Sequence, residues 1–124
     1  MALRYGSRSR PGTMVSTWLN GLVSGTVAAP TAAFFAGGTT GSVVATVYKF
    51  AFLDDSRTTL ATGLSAARSH LAGAANSGTA AYFAGGLESG GAVATVDKFA
   101  FLDDSRTTLG TGLSTVRNNL AGAA

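Results

Sequence analysis

The sequence lacks cysteine and is poor in charge, proline and histidine: its 124 residues include nine basic residues, six acidic residues, two prolines and one histidine. Without cysteine there are no disulfides, thiolate nucleophiles or cysteine–metal sites. A metal site built on two histidines cannot form within one chain, and a Ser–His–Asp triad would depend on His70 alone. The longest apolar stretch, residues 14–36, is interrupted by polar residues and Pro30. A membrane span needs about 20 predominantly apolar residues, so we expect no transmembrane segment.

The excess of basic charge is confined to the N-terminus. Arg4, Arg8 and Arg10 account for the net charge of +3, and no acidic residue accompanies them in the first ten positions. A nucleic-acid-binding protein usually carries a basic stripe across its folded surface, so this distribution argues against nucleic acid as a partner. Arg8, Arg10 and the single tryptophan, Trp18, remain candidates for an interaction surface. A basic start before a weak apolar run is typical of a signal peptide. The sequence repeat instead assigns these residues to a partial repeat unit.

The sequence repeats itself with a period of 48 to 49 residues. Residues 31–38 align with 79–86, and residues 44–60 align with 93–109 with one difference, Tyr48 against Asp97. Residues 7–17 match 105–115 more weakly, as an eroded third copy. We therefore expect a partial repeat at 1–20 that holds an outer strand, full repeats at 21–69 and 70–118, and the first strand of a further partial unit at 119–124.

Each repeat is expected to form four strands. In the second copy these are residues 71–76, 79–84, 92–101 and 107–112, and alternation along the third strand gives it the period of a β-strand. The alanines of residues 64–76 favour a helix instead. The equivalent segment of the next copy is rich in β-branched residues and asparagine, so the strand interpretation is preferred.

Four antiparallel strands every ~50 residues, with a double glycine after the second, resemble the kelch repeat of β-propellers. The matching positions are Arg68 and Arg117 before the innermost strand, Phe34 and Tyr82 ahead of Gly37, Gly38, Gly85 and Gly86, and Phe52 and Phe101 at the end of the third strand. The chain departs from the family at the tryptophan of the fourth strand, where it has Leu60 and Leu109. The resemblance implies an all-β fold of kelch-like propeller blades.

About two and a half repeats cannot close a ring of roughly four to eight blades. We therefore expect the propeller to be completed by oligomerisation, because an open array leaves strand edges and inter-blade faces exposed. Two full blades and one composite blade per chain favour a homodimer with six positions. Phe50, Phe52, Phe99 and Phe101 are expected to fill the space between facing blades.

The remaining polar and glycine-rich motifs favour structural roles. Residues 54–57 and 103–106 each read Asp-Asp-Ser-Arg, which is typical of a hairpin turn with an Asx cap; a calcium or acid–base site is the alternative. The glycine-rich segments 37–41 and 85–91 lack the Gly-Lys-Ser/Thr ending of a phosphate loop. We expect no catalytic, cofactor or metal site, and hence no enzyme.

The predicted function is that of a non-enzymatic structural or interaction protein. The Tyr-Phe-Ala-Gly-Gly unit at residues 82–86 resembles those of repetitive phage tail and virion proteins. This implies a virion component, either a decoration or a tail-associated protein, at the virion or an extracellular surface, with itself and other virion proteins as partners. The alternative is a propeller module that binds carbohydrate or protein, as a lectin does.

Overall fold

The structure is a computed structural model that describes residues 31–123. The predicted partial repeat at 1–20, the beginning of the first repeat, and the candidates Arg8, Arg10 and Trp18 lie outside these residues. Between residues 31 and 123 all regular structure is β-strand, with no helix. The all-β prediction is thereby confirmed for this part of the chain. Residues 64–71, at the start of the segment with helical propensity, form bends and irregular backbone.

The first sheet, sheet 1, has three antiparallel strands. They are β1 (Ala32–Ala36), β2 (Val47–Ala51) and β3 (Arg57–Thr59), in the order β1-β2-β3. Phe34 pairs with Lys49 across β1 and β2. The central strand β2 carries valine and aromatic residues, which suit a pleated surface packed on neighbours.

The second sheet, sheet 2, has the four antiparallel strands expected of a repeat. In chain order the strands from residue 72 onward are β4 (Ala72–Asn76), β5 (Ala80–Ala84), β6 (Leu87–Glu88), β7 (Gly91–Ala92), β8 (Val96–Ala100) and β9 (Arg106–Thr108). Sheet 2 has the order β4-β5-β8-β9, and β6 and β7 pair separately as a short hairpin. The third and fourth strands are shorter than predicted because Gly91–Ala92 belong to that hairpin and β9 ends at Thr108.

The Asp-Asp-Ser-Arg motifs form the hairpin turns that the sequence predicts. The Asp54 carboxylate accepts a hydrogen bond from the Ser56 N–H at 3.0 Å, and Asp103 accepts one from the Ser105 N–H at 3.1 Å. The second aspartate of each motif has a positive φ, 57° at Asp55 and 58° at Asp104. Aspartate tolerates this left-handed conformation better than most residues.

The repeated sequence gives repeated backbone geometry. The N–H of Gly38 donates to the Arg68 carbonyl at 3.0 Å, and the N–H of Gly86 donates to the Arg117 carbonyl at 2.9 Å. The left-handed residues recur as well, with φ of 54° at His70 and 53° at its counterpart Asn119. In each repeat the segment that holds the arginine is thus fixed to the double glycine of its own sheet.

The hydrophobic core lies where sheet 1 packs against sheet 2. Phe99 and Val47 are completely buried, and Phe83 meets Phe99 edge to face with ring centroids 5.9 Å apart. Phe101 packs against this core, whereas Phe52 at the equivalent position is 58% exposed. The difference follows from position, because the face of sheet 2 that holds Phe99 is covered by sheet 1.

The backbone after sheet 2 returns to the start of that sheet. Asn119 N–H donates to the His70 carbonyl at 2.9 Å, and Gly122 lies so close to Gly73 that a side chain at residue 122 would collide with the Gly73 backbone. Residues 119–123 form no strand with any other described residue. Small residues in both segments allow this close approach.

Candidate functional site

A buried ion pair joins the two sheets. Arg68, from the segment that follows sheet 1, reaches into sheet 2 and places its guanidinium 2.9 Å from the Asp97 carboxylate on β8. Both side chains are fully buried. A buried charge is costly unless it is paired and hydrogen-bonded, so each residue depends on the other.

The Asp97 carboxylate accepts hydrogen bonds from three further donors. The backbone N–H and the hydroxyl of Ser65 both lie 2.9 Å from Oδ2, and the Thr108 hydroxyl lies 2.6 Å from Oδ1. Burial alone would raise the pKa of Asp97. The hydrogen bonds from Thr108 and Ser65, together with the positive charge of Arg68, outweigh that effect and hold the pKa below its usual value.

This lowered pKa predicts an acid-sensitive junction between the sheets. Because the folded pKa of Asp97 lies below its unfolded value of about 3.9, its contribution to stability is complete above that value. It is lost as the pH falls through the folded pKa. Urea unfolding between about pH 5 and pH 2 should show a steeper loss of stability in the native chain than in Asp97→Asn. Parallel pH profiles for the two proteins would contradict the assignment.

The buried part of this polar cluster is closed to solvent. Arg68 and Asp97 expose no side-chain surface, so a substrate cannot reach them. His70 is exposed, and its Nδ1 lies 2.8 Å from the hydroxyl of the adjacent Ser69. Within residues 31–123, no three His, Cys, Asp or Glu side chains are grouped so as to hold a metal ion.

A second set of contacts surrounds the buried pair. The Lys49 ammonium lies 2.8 Å from the Asp104 carboxylate, and Arg106 donates to the Gly63 carbonyl at 3.0 Å. The Phe34 ring lies 5.4 Å from that of Phe101. Each contact joins a residue of the first repeat to one of the second.

The other face of sheet 1 is aromatic and exposed. We call it the front face; it consists of Phe35, Tyr48 and Phe50 with Arg57. Phe35 is 59% exposed and Tyr48 is 39% exposed, and the ring of Phe35 meets that of Phe50 at 5.7 Å. The Arg57 guanidinium lies over the Tyr48 ring at 5.5 Å. An exposed cluster of large apolar side chains on a small chain indicates an interaction surface.

The face of sheet 2 that is turned away from sheet 1 holds the positions equivalent to Phe34 and Lys49. We call it the back face; it includes Tyr82 and Lys98, with the Lys98 ammonium 6.0 Å from the centre of the Tyr82 ring. The equivalent pair in sheet 1 is Phe34 and Lys49, at 5.9 Å. All four side chains are half-buried. In sheet 1 the pair packs on the aromatic rings of sheet 2, and in sheet 2 it lies on the face turned away from sheet 1.

An apolar groove of about 520 Å³ runs along the edge of β1 and faces β4. Sheet 2 has a fourth strand at the corresponding edge, where β4 pairs with β5. The segment that aligns with β4 one repeat earlier, residues 24–28, lies outside the described residues. Among the described residues, β1 pairs with β2 alone, so the groove follows the unpaired edge of β1.

The structure separates the residues of the predicted repeat signature. Arg68 is buried between the sheets, while Arg117 is exposed and donates to the Thr115 hydroxyl at 2.9 Å. Sequence reasoning missed Asp97, the partner of Arg68. The sequence feature that could have identified Asp97 is the single difference between residues 44–60 and 93–109, where the first repeat has Tyr48 in place of Asp97.

No protein-family model matches this sequence, and a search of curated proteins finds no relative. In residues 31–123 there is no helix with the length and apolar character required to cross a membrane.

Proposed function

We propose that this chain is a non-enzymatic structural protein that assembles with itself as a kelch-like propeller. The observation that supports this most is the front face of sheet 1. Its Phe35 and Phe50 are the counterparts of Phe83 and Phe99, the residues that form the buried contact between the sheets. A repeat that buries these positions in one place and exposes them in another favours the addition of a further unit.

The sheet geometry is consistent with stacked propeller blades. Sheet 2 is a four-stranded antiparallel meander, and the connection through Arg68 leads from one sheet directly into the next. The glycines after β5 have φ of 65° and 112°, values that favour glycine, and they hold the Arg117 segment against the sheet. These features support the kelch resemblance for the part of the chain that they cover.

We further propose a place in a virion, as a decoration or tail-associated protein, with other virion proteins as partners. The repetitive Tyr-Phe-Ala-Gly-Gly unit supports this proposal. A lectin-like module is the competing function: reproducible binding on a glycan array that is lost on substitution of exposed aromatic residues would favour it over the structural role.

The experiment that tests self-assembly is the solution mass of the full chain, measured by light scattering over a range of concentrations. We expect a species larger than one chain, with the dimer predicted from the repeat count as the reference mass. A mass equal to one chain at every concentration would overturn the proposal. The substitution Phe35→Asp should lower the mass, because a carboxylate on the front face opposes burial of that face.

A further inference from the structure

We propose that the front face of sheet 1 binds the back face of sheet 2 of a second copy, in the same register that joins the two sheets within one chain. This inference rests on the proposed function and identifies the surfaces and the contacts. Within one chain, the side of sheet 1 that holds Phe34 packs on the side of sheet 2 that holds Phe99. The front face of sheet 1 and the back face of sheet 2 take no part in this contact, so the same contact can form again between two chains.

The aromatic contacts of the internal junction have counterparts on the front face and the back face. Within the chain, Phe34 packs on Phe99 and Phe101 with ring centroids 6.4 and 5.4 Å apart. One repeat later the position of Phe34 is occupied by Tyr82. In the second chain, Phe50 and Phe52 occupy the positions that correspond to Phe99 and Phe101. Tyr82 would therefore pack on these two rings, and the exposed Phe52 would become buried.

The charged contacts have counterparts as well. The internal ion pair joins Lys49 to Asp104 at 2.8 Å, and its equivalents are Lys98 on the back face and Asp55 on the front face. Lys98 already lies beside the Tyr82 ring as Lys49 lies beside Phe34. Asp55 has the same left-handed backbone as Asp104, and it is exposed. Lys98 and Asp55 thus carry the same charges as the internal pair that they correspond to.

A third contact follows from the arginine of the last strand. Arg106 of sheet 2 donates to the Gly63 carbonyl of the first repeat at 3.0 Å. In the second copy the corresponding donor is Arg57, and the corresponding acceptor is the carbonyl of Gly112, which is exposed. Sheet 1 of one chain therefore supplies Arg57 and Asp55. Sheet 2 of the other supplies the Gly112 carbonyl and Lys98.

Charge also favours a second copy over the N-terminal segment as the occupant of the back face. Residues 1–17 align with 99–115, and this alignment places Gly6 where the second repeat has Asp104. A composite blade made with that segment would offer no carboxylate to Lys98. The first ten residues of that segment hold three arginines and no acid. Sheet 1 of a second copy offers Asp55.

The front face and the back face lie on opposite sides of one chain, so the contact is heterologous. Such contacts close into rings when the rotation between copies permits and otherwise extend as open stacks. The partner is chemically specified in either case: a second copy that presents its front face. A carbohydrate or an unrelated protein would not need both members of the Lys98–Asp55 pair.

The proposal is tested by exchanging the charges of one pair in the full-length chain. Lys98→Glu and Asp55→Lys each put like charges at the junction between copies, and each should raise the concentration at half-assembly on the order of tenfold. The double variant K98E/D55K restores opposite charges and should return that concentration to within about threefold of the native value. The measurement is the concentration dependence of the mass by sedimentation velocity and light scattering.

Lys49→Glu is the matched control, because it disrupts the equivalent pair inside the chain. It should lower the melting temperature and leave the concentration at half-assembly unchanged. If the native chain assembles but Lys98→Glu and Asp55→Lys assemble like it, or if the double variant fails to recover, the proposed contact is wrong while self-assembly stands. If the native chain is monomeric throughout, both proposals fail.

Discussion

Replacing Arg68 with methionine is expected to lower the free energy of unfolding by about 3–5 kcal/mol. Methionine retains most of the apolar stem but leaves Asp97 as a buried carboxylate without its cation. The pair is fully shielded from solvent and linked at 2.9 Å, so removal of one partner exposes the full cost of burying the other. Chemical denaturation followed by far-UV circular dichroism measures the change.

The repeat provides the control for this substitution. Arg117 occupies the same position one repeat later and is exposed, so Arg117→Met should change the free energy of unfolding by less than about 0.5 kcal/mol. The double variant Arg68→Met/Asp97→Leu removes both charges and should cost less than the sum of the single variants. Equal losses for Arg68→Met and Arg117→Met would show that the ion pair does not join the sheets.

Truncation of Phe99 to alanine is the second large effect that we expect, at about 3–5 kcal/mol of unfolding free energy. Phe99 is completely buried and meets Phe34 and Phe83, so the substitution opens a cavity between the sheets. Phe50→Ala, its counterpart on the front face, should cost less than half as much in the isolated chain. Thermal and urea unfolding of the two variants provide the comparison.

The same pair of variants separates folding from assembly. Phe50→Ala should weaken self-association because Phe50 belongs to the proposed contact between copies, while the chain remains folded. Phe99→Ala should lower the stability of the chain itself. Should Phe50→Ala destabilise the chain as much as Phe99→Ala, the front face would have to be buried within one chain.

Much of the fold could be predicted from the sequence repeat. The double glycines, the Asp-Asp-Ser turns and the alternation within residues 92–101 predicted the order and direction of the strands of sheet 2, since these features act locally. The predicted lengths of the third and fourth strands were wrong. The hairpin at residues 87–92 and the early end of β9 depend on pairing between segments rather than on local sequence.

The candidate site was less accessible to sequence reasoning. Arg68 and Arg117 are indistinguishable as signature residues, yet one is buried and the other exposed, because burial depends on whether another sheet follows. Asp97 was apparent only as a departure from the repeat. Its role required knowledge that residue 65 and residue 108 converge on it, and these residues are far apart in the chain.

The exchange of Asp97 for Tyr48 makes the two kinds of junction unequal. Inside the chain Arg68 meets a carboxylate, whereas Arg117 of one copy would meet the Tyr48 phenol of the next and form no ion pair. In the proposed assembly the junction between copies would lack this ion pair, so we expect whole folded chains to separate before any chain unfolds. Copies would then leave and re-enter such an assembly without refolding.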